Sequence, residues 1–233
     1  MGDNRISAVP LISTPSLVRS DLTDLTTLAF SRFENEFGTL GQKPFPGRYT
    51  SDARYAAARI AIPHWFVHST QVGSADSDRK LNRTPTETFE EGGNCVDRCI
   101  LLGSMWATLS LPSELLSLCA EGDDVAHLTA VATVPDADDG PAPDAVTSEL
   151  THIYTEHLSR NFATSDIHTW TDDGDLCLIA DPVFSDHVGD IGSMVEHGFG
   201  AVDGEDVEWE FHNETQDVLV CSDGSASYRY ESM

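Results

Sequence analysis

Lysine is almost missing from this chain: Lys43 and Lys80 are the only two in 233 residues. All basic residues together number 13, against 39 acidic ones, for a net charge of −26. Binding to nucleic-acid phosphates needs a basic stripe, so no nucleic-acid partner is expected. Long apolar runs are missing too. No stretch reaches the roughly 18 apolar residues of a spanning helix, so no membrane partner is expected. The start, Met1-Gly2-Asp3-Asn4-Arg5-Ile6-Ser7, lacks an apolar core after a basic segment, so no secretory signal is expected. Cysteine is scarce and odd in number: Cys95, Cys99, Cys119, Cys177 and Cys221. No C-x-x-C pair occurs, which argues against a disulfide framework and a zinc knuckle. Cys119, Cys177 and Cys221 lie in apolar, strand-like runs and read as small buried hydrophobes. A reducing, cytoplasmic setting follows as the expectation. No D-x-D-x-D-G loop is present, so calcium is not implied, and no metal or cofactor is expected.

What the chain has in excess is acid, spread along its whole length rather than gathered in a tail. A surface built for a basic partner would show a cluster. Self-repulsion of this size destabilises a compact state in dilute buffer. In about 1 M salt the Debye length shrinks to roughly 3 Å and most of the repulsion disappears. The composition resembles that of proteins from salt-in haloarchaea or their viruses, which implies a high-salt interior. Apolar residues make up 40 %, enough for one ordinary core.

The pattern predicts a loose arm over residues 1 to about 20 and a single domain over 21–233. Leu22, Leu25, Leu28, Ala29, Phe33 and Phe37 keep a helical rhythm, with Ser20 or Asp21 as the cap. Residues 38–49 read as a loop. A second, Ala-rich helix runs from Ser51 to about Ile62, where Pro63 interrupts or ends it; the pattern can resume at Trp65, Phe66 and Val67. Residues 73–86 read as a surface loop. Thr84 to Glu90 is a short helical lead-in with Pro85 near its start. After Gly92 and Gly93 comes a helix from about Cys95 to Leu109 that is apolar on most sides, hence buried. Strands are expected at Leu115–Ala120, Val125–Val134 and Leu176–Ala180. Between the last two lies an insertion, about 135–170, with a helix at Ala145–Phe162. It reads as a surface decoration rather than a lid, since insertions in exposed loops cost little. The tail, about 186–233, offers strands at Val207–Phe211, Val218–Cys221 and Ser227–Tyr230. Helices first, then a buried helix, then an antiparallel sheet make an α+β plan.

Three residues carry the chemistry. Cys95 opens the buried helix behind Gly-Gly-Asn, and a helix N-terminus stabilises the thiolate, the reactive form of cysteine. Asn94 caps that helix. His127 sits on the second strand, sharing a face with Val125, Thr129 and Val131. A histidine there is costly to bury without a partner. Asp181, at the end of the third strand and followed by Pro182, supplies one: a carboxylate on one ring nitrogen fixes the tautomer and leaves the other for the thiol.

The run Pro85-Thr-Glu-Thr-Phe-Glu-Glu-Gly-Gly-Asn-Cys-Val-Asp-Arg-Cys-Ile-Leu-Leu, the strand bearing His127, and Leu-Ile-Ala-Asp181-Pro182 together resemble the transglutaminase-like superfamily over about residues 51–185. The resemblance implies a papain-like core, a central buried helix packed on an antiparallel sheet, with Cys95, His127 and Asp181 as catalytic residues. It implies acyl transfer from an amide of a protein or peptide substrate, as a peptidase or amidase or, with an amine acceptor, a transglutaminase. The Cys95 N–H is an expected oxyanion donor; Trp65 and Gln71 precede it at suitable distances but read as core or surface. The sequence departs from the family in having Leu128-Thr129 where an aromatic is usual, and in its long interval from His127 to Asp181. An arylamine-acetyltransferase-like enzyme also fits Gly-Gly-x-Cys, but its Asp-Val-Gly-Phe-Gly block is replaced here by Ala-Asp-Pro-Val-Phe. A non-catalytic protein that keeps the fold is the reading from another class. His64 and His68 share a helical spacing but no H-E-x-x-H pattern, which argues against a zincin. With His152 and His157 they read as structural or exposed.

Overall fold

The computed structural model describes residues 21–38, 53–69, 83–119, 126–135, 141–157, 163–172, 174–193, 201–203, 206–208, 215–222 and 225–232. The expected N-terminal arm, residues 39–49 of the expected loop 38–49, residues 73–82 of the expected surface loop 73–86, and Gln71 lie outside them; residues 83–86 are not surface loop, since Arg83 and Pro85 are buried and Pro85 opens a helix. Helix α1 (Thr23–Phe37) buries Thr26, Ala29, Phe30 and Phe33 against the core. Ser20 lies outside the described residues, and Asp21 is not at the N-cap position. Leu22 takes the N-cap position without a side-chain bond, and its N–H is satisfied by Thr108 Oγ1 at 3.1 Å.

Helix α2 (Ala53–Ser69) runs straight through Pro63. The sequence reading placed a break there. Proline removes one helical N–H and crowds the preceding turn, but most of the helix is buried, including Tyr55, Ile60, Ile62 and Phe66. Tertiary packing outweighs a local penalty of roughly 3 kcal/mol. Helix α3 (Pro85–Glu91) starts with a full capping box between Thr84 and Glu87. Helix α4 (Cys95–Thr108) is the centre of the molecule. Cys99, Ile100, Leu101, Leu102, Met105 and Trp106 are all buried, and Trp106 Nε1 donates to the Ile60 carbonyl at 3.4 Å, tying α4 to α2.

Strands β1 (Ser113–Cys119) and β2 (Ala126–Val134) form an antiparallel hairpin, from Ser113 opposite Ala132 to Cys119 opposite Ala126. Helix α5 (Pro143–His157) follows. Then come β3 (Trp170–Asp172), which the sequence reading missed because it is only three residues long, and β4 (Asp175–Ala180). Asp181 therefore follows the fourth strand rather than the third. The tail adds β5 (Ala201–Asp203), β6 (Asp206–Glu208), β7 (Thr215–Ser222) and β8 (Ser225–Ser232). The main sheet has six antiparallel strands in the order β3-β4-β2-β1-β7-β8, and β5 and β6 pair separately. The architecture is α+β, with α4 packed on the sheet.

Helix α5 is not a decoration. Val146, Leu150, Ile153 and Tyr154 are buried in the same core as α2 and α4. The Tyr154 hydroxyl also accepts the Val188 N–H at 3.0 Å, anchoring the segment after β4.

Candidate active site

The start of α4 is built by two glycines and two side chains. Gly92 has φ of +98°, a conformation L side chains avoid. A Cβ on Gly93 would sit 2.4 Å from the Asp97 Cβ, so only glycine lets the turn close. Asn94 Oδ1 accepts the Asp97 N–H at 3.0 Å, and Asp97 Oδ2 accepts the Asn94 N–H at 3.1 Å. Asp97 is buried, and its other oxygen accepts the Arg83 N–H at 2.7 Å. The Arg83 guanidinium in turn donates to the Gly92 carbonyl. Cys95 is thus fixed in the first turn of α4, where its own N–H has no helical acceptor.

His127 stands near the start of β2 and is 4 % exposed. Asp181 directly follows the last ladder pair, Ala130 opposite Ala180, and is fully buried. That register brings together two residues 54 apart in sequence: His127 Nε2 hydrogen-bonds Asp181 Oδ2. The His127 ring also hydrogen-bonds the Cys95 sulfur, for which Nδ1 is the remaining nitrogen. All three residues singled out from the sequence meet, and Cys95, at the end of the series, is only partly buried.

The electrostatics favour one charge distribution. Burial works against a Cys95 thiolate, but the His127 hydrogen bond and charge, with the Leu128 N–H, outweigh it and hold the thiol below its ordinary range. Burial likewise opposes a His127 imidazolium, yet Asp181 and Cys95 raise its pKa to about 9. Asp181 is desolvated, but His127 and the Phe184 and Val183 N–H groups keep it below the ordinary carboxylate value. The two N–H groups bond Oδ1 at 2.8 and 2.7 Å. Every shift points to thiolate, imidazolium and carboxylate.

Several supporting residues had no signal in the sequence. Phe184 lays its ring against His127, centroids 4.7 Å apart. Arg98 bridges the two halves of the site, donating to the Gly93 carbonyl at 3.3 Å and the Pro182 carbonyl at 3.4 Å. Cys99 is fully buried and its thiol donates to the Leu128 carbonyl at 3.1 Å, holding β2 to α4. His64 donates to the Asp181 carbonyl. Its i, i+4 pairing with His68 was visible in the sequence; its target was not.

Trp65 is elsewhere: it packs edge-on against Phe33 and Phe37. Cys177 is buried, as expected, while the side chains of Cys119 and Cys221 lie outside the described residues. His152 is half-buried beside Glu156, and the His157 side chain is outside the described residues. Among the described residues no three His, Cys, Asp or Glu side chains converge as metal ligands, and no helix is long and apolar enough to cross a membrane. No family model, curated protein or solved structure matches the chain.

Proposed function

We propose that the protein is a thiol acyl-transfer enzyme, a cysteine peptidase or amidase with a transglutaminase-like, papain-like core, working in a high-salt cytoplasm on a protein or peptide substrate. The observation that carries this reading is the hydrogen-bonded series Cys95–His127–Asp181, with Cys95 at a helix N-terminus and only partly buried. A buried cysteine serving only the core would need no imidazole, and the imidazole no buried carboxylate.

In the reaction, the Cys95 thiolate adds to the amide carbonyl carbon. A C–S bond forms and the carbonyl π electrons move to oxygen, where the Cys95 N–H donates a hydrogen bond. Collapse breaks the C–N bond, and His127 gives its proton to the departing amine. The acyl group is now a thioester. Water then attacks; neutral His127 takes its proton, the C–S bond breaks, and the acid leaves with the thiolate restored. An amine in place of water gives a new amide. Asp181 stays ionised throughout and holds the imidazole in its tautomer.

Graded-pH alkylation tests this. In molar KCl, iodoacetamide should modify Cys95 well below the roughly pH 8.5 midpoint of a free thiol, with Cys221 as the internal comparison. Amide hydrolysis on denatured protein substrates should be abolished by Cys95→Ala. A Cys95 no more reactive than Cys221 would leave a non-catalytic protein as the reading.

A further inference from the structure

His64 is fully buried, and the reaction above does not use it. It stands on α2, and its Nε2 lies 2.9 Å from the backbone carbonyl oxygen of Asp181. A carbonyl only accepts, so Nε2 carries the hydrogen and Nδ1 keeps a bare lone pair. That Nδ1 is buried with no hydrogen-bond partner among the described residues. Such an atom costs stability that an apolar side chain would avoid. The feature set against that cost is the bond to Asp181.

We infer that His64 is a positioning residue of this site: its Nε2–H pins the Asp181 peptide to α2 and so aims the Asp181 carboxylate at His127. The inference rests on the proposed role of the Cys95–His127–Asp181 series.

The sheet brings Asp181 near His127 but does not hold its peptide. The ladder between β2 and β4 ends at Ala180, one residue short of Asp181. The Val183, Phe184 and Ser185 N–H groups that bond Asp181 belong to the same turn. They shape the turn but cannot fix it relative to the rest of the protein. Among the described residues, and His127 aside, two side chains from other elements bond the first carbonyls of this turn: Arg98 of α4, 3.4 Å from that of Pro182, and His64 of α2, on Asp181 itself. The Asp181 carboxylate is two bonds from its own Cα, so a fixed peptide leaves it little freedom to swing.

The donor is also constant. Burial lowers the His64 pKa to about 4, against the opposing pull of the Asp181 carbonyl and with help from His68 and His187. The His68 ring stacks on His64 with centroids 5.9 Å apart and has Asp186 at 3.4 Å. Between about pH 4 and pH 9, therefore, His64 is neutral while His127 is charged.

The test compares His64→Leu, which removes the donor at similar volume, with His64→Gln, which keeps an N–H donor at about the same reach. The readout is the pH midpoint of iodoacetamide reaction at Cys95 in molar KCl, on proteins shown by circular dichroism to be folded. His64→Leu is expected to raise the midpoint by at least about half a pH unit, roughly a threefold change in the ionisation constant of the thiol. His64→Gln should return it most of the way. A merely structural His64 would lower Tm and leave the midpoint alone. A folded His64→Leu with the wild-type midpoint overturns the inference, as does an equal shift in both variants. Should His64→Leu not fold, 15N-histidine spectra of the wild type decide. His64 must be the neutral Nε2–H form from pH 5.5 to 8; an Nδ1–H tautomer or an imidazolium in that range overturns the inference. An ordinary midpoint for wild-type Cys95 would instead strike the proposed function, and the tautomer would still judge the His64 bond separately.

Discussion

At the scale of single residues, the site is a proton arrangement with a definite pH signature. His127 is raised to about 9, above its unfolded value of roughly 6.5. Its contribution to stability is therefore complete below about 6.5 and is lost as pH rises through about 9. Asp181 is lowered, so its contribution is present above the ordinary carboxylate value and is lost as pH falls through its folded one. Denaturant unfolding of wild type and His127→Ala in molar KCl should thus show a gap that is wide near neutral pH and narrows through about pH 9. A gap that widens on the alkaline side would contradict the assigned ion pair. The three residues were readable from the sequence because each has a local mark: a Gly-Gly turn, a β-branched strand, a strand end before proline. Phe184, Arg98 and His64 were not, because what identifies them is a contact across 57, 84 and 117 residues of chain.

At the scale of elements, the start of α4 is where geometry is tightest. Gly93→Ala would place a Cβ 2.4 Å from the Asp97 Cβ and 2.9 Å from Thr88 Cγ2, neither of them a flexible side-chain end. Relief requires the turn to move, at a cost of roughly 1–3 kcal/mol, and it should carry Cys95 away from His127. Gly103→Ala is the control. It lies on the same helix, its Cβ would meet nothing closer than 3.7 Å, and replacing glycine inside a helix gains about 0.5–1 kcal/mol. Thermal unfolding and Cys95 alkylation should separate the two: the first loses both stability and reactivity, the second neither. Equal behaviour would mean that the Gly-Gly turn does not set the sulfur. Helix periodicity was legible for α1 and α4, whose apolar stripes are long. The continuity of α2 through Pro63 and the burial of α5 were not, because both depend on what packs against them rather than on their own pattern.

At the scale of the whole molecule, the charge of −26 and the core pull in opposite directions. Among the described residues only two carboxylates are buried, Asp97 and Asp181, and both serve the Cys95 site. The other acids whose side chains are described are at least partly exposed, so their mutual repulsion is open to screening. Raising KCl from 0.1 to 2 M should lift Tm by at least about 4 °C, which for a chain of this size is roughly 1 kcal/mol or more. Sodium chloride should act alike if screening is the cause. A flat Tm would remove the halophilic interpretation without touching the site.

The β2–β4 register has a consequence for the protein's own safety. Asp181 reaches His127 only once Ala180 has paired with Ala130, and before that the imidazole has no carboxylate to hold it. A chain still being synthesised, or one partly unfolded, carries Cys95 as an unarmed thiol. On the proposed function, this order of assembly would keep immature copies from cleaving one another. Pulse alkylation during refolding would show Cys95 reactivity rising late, together with strand closure.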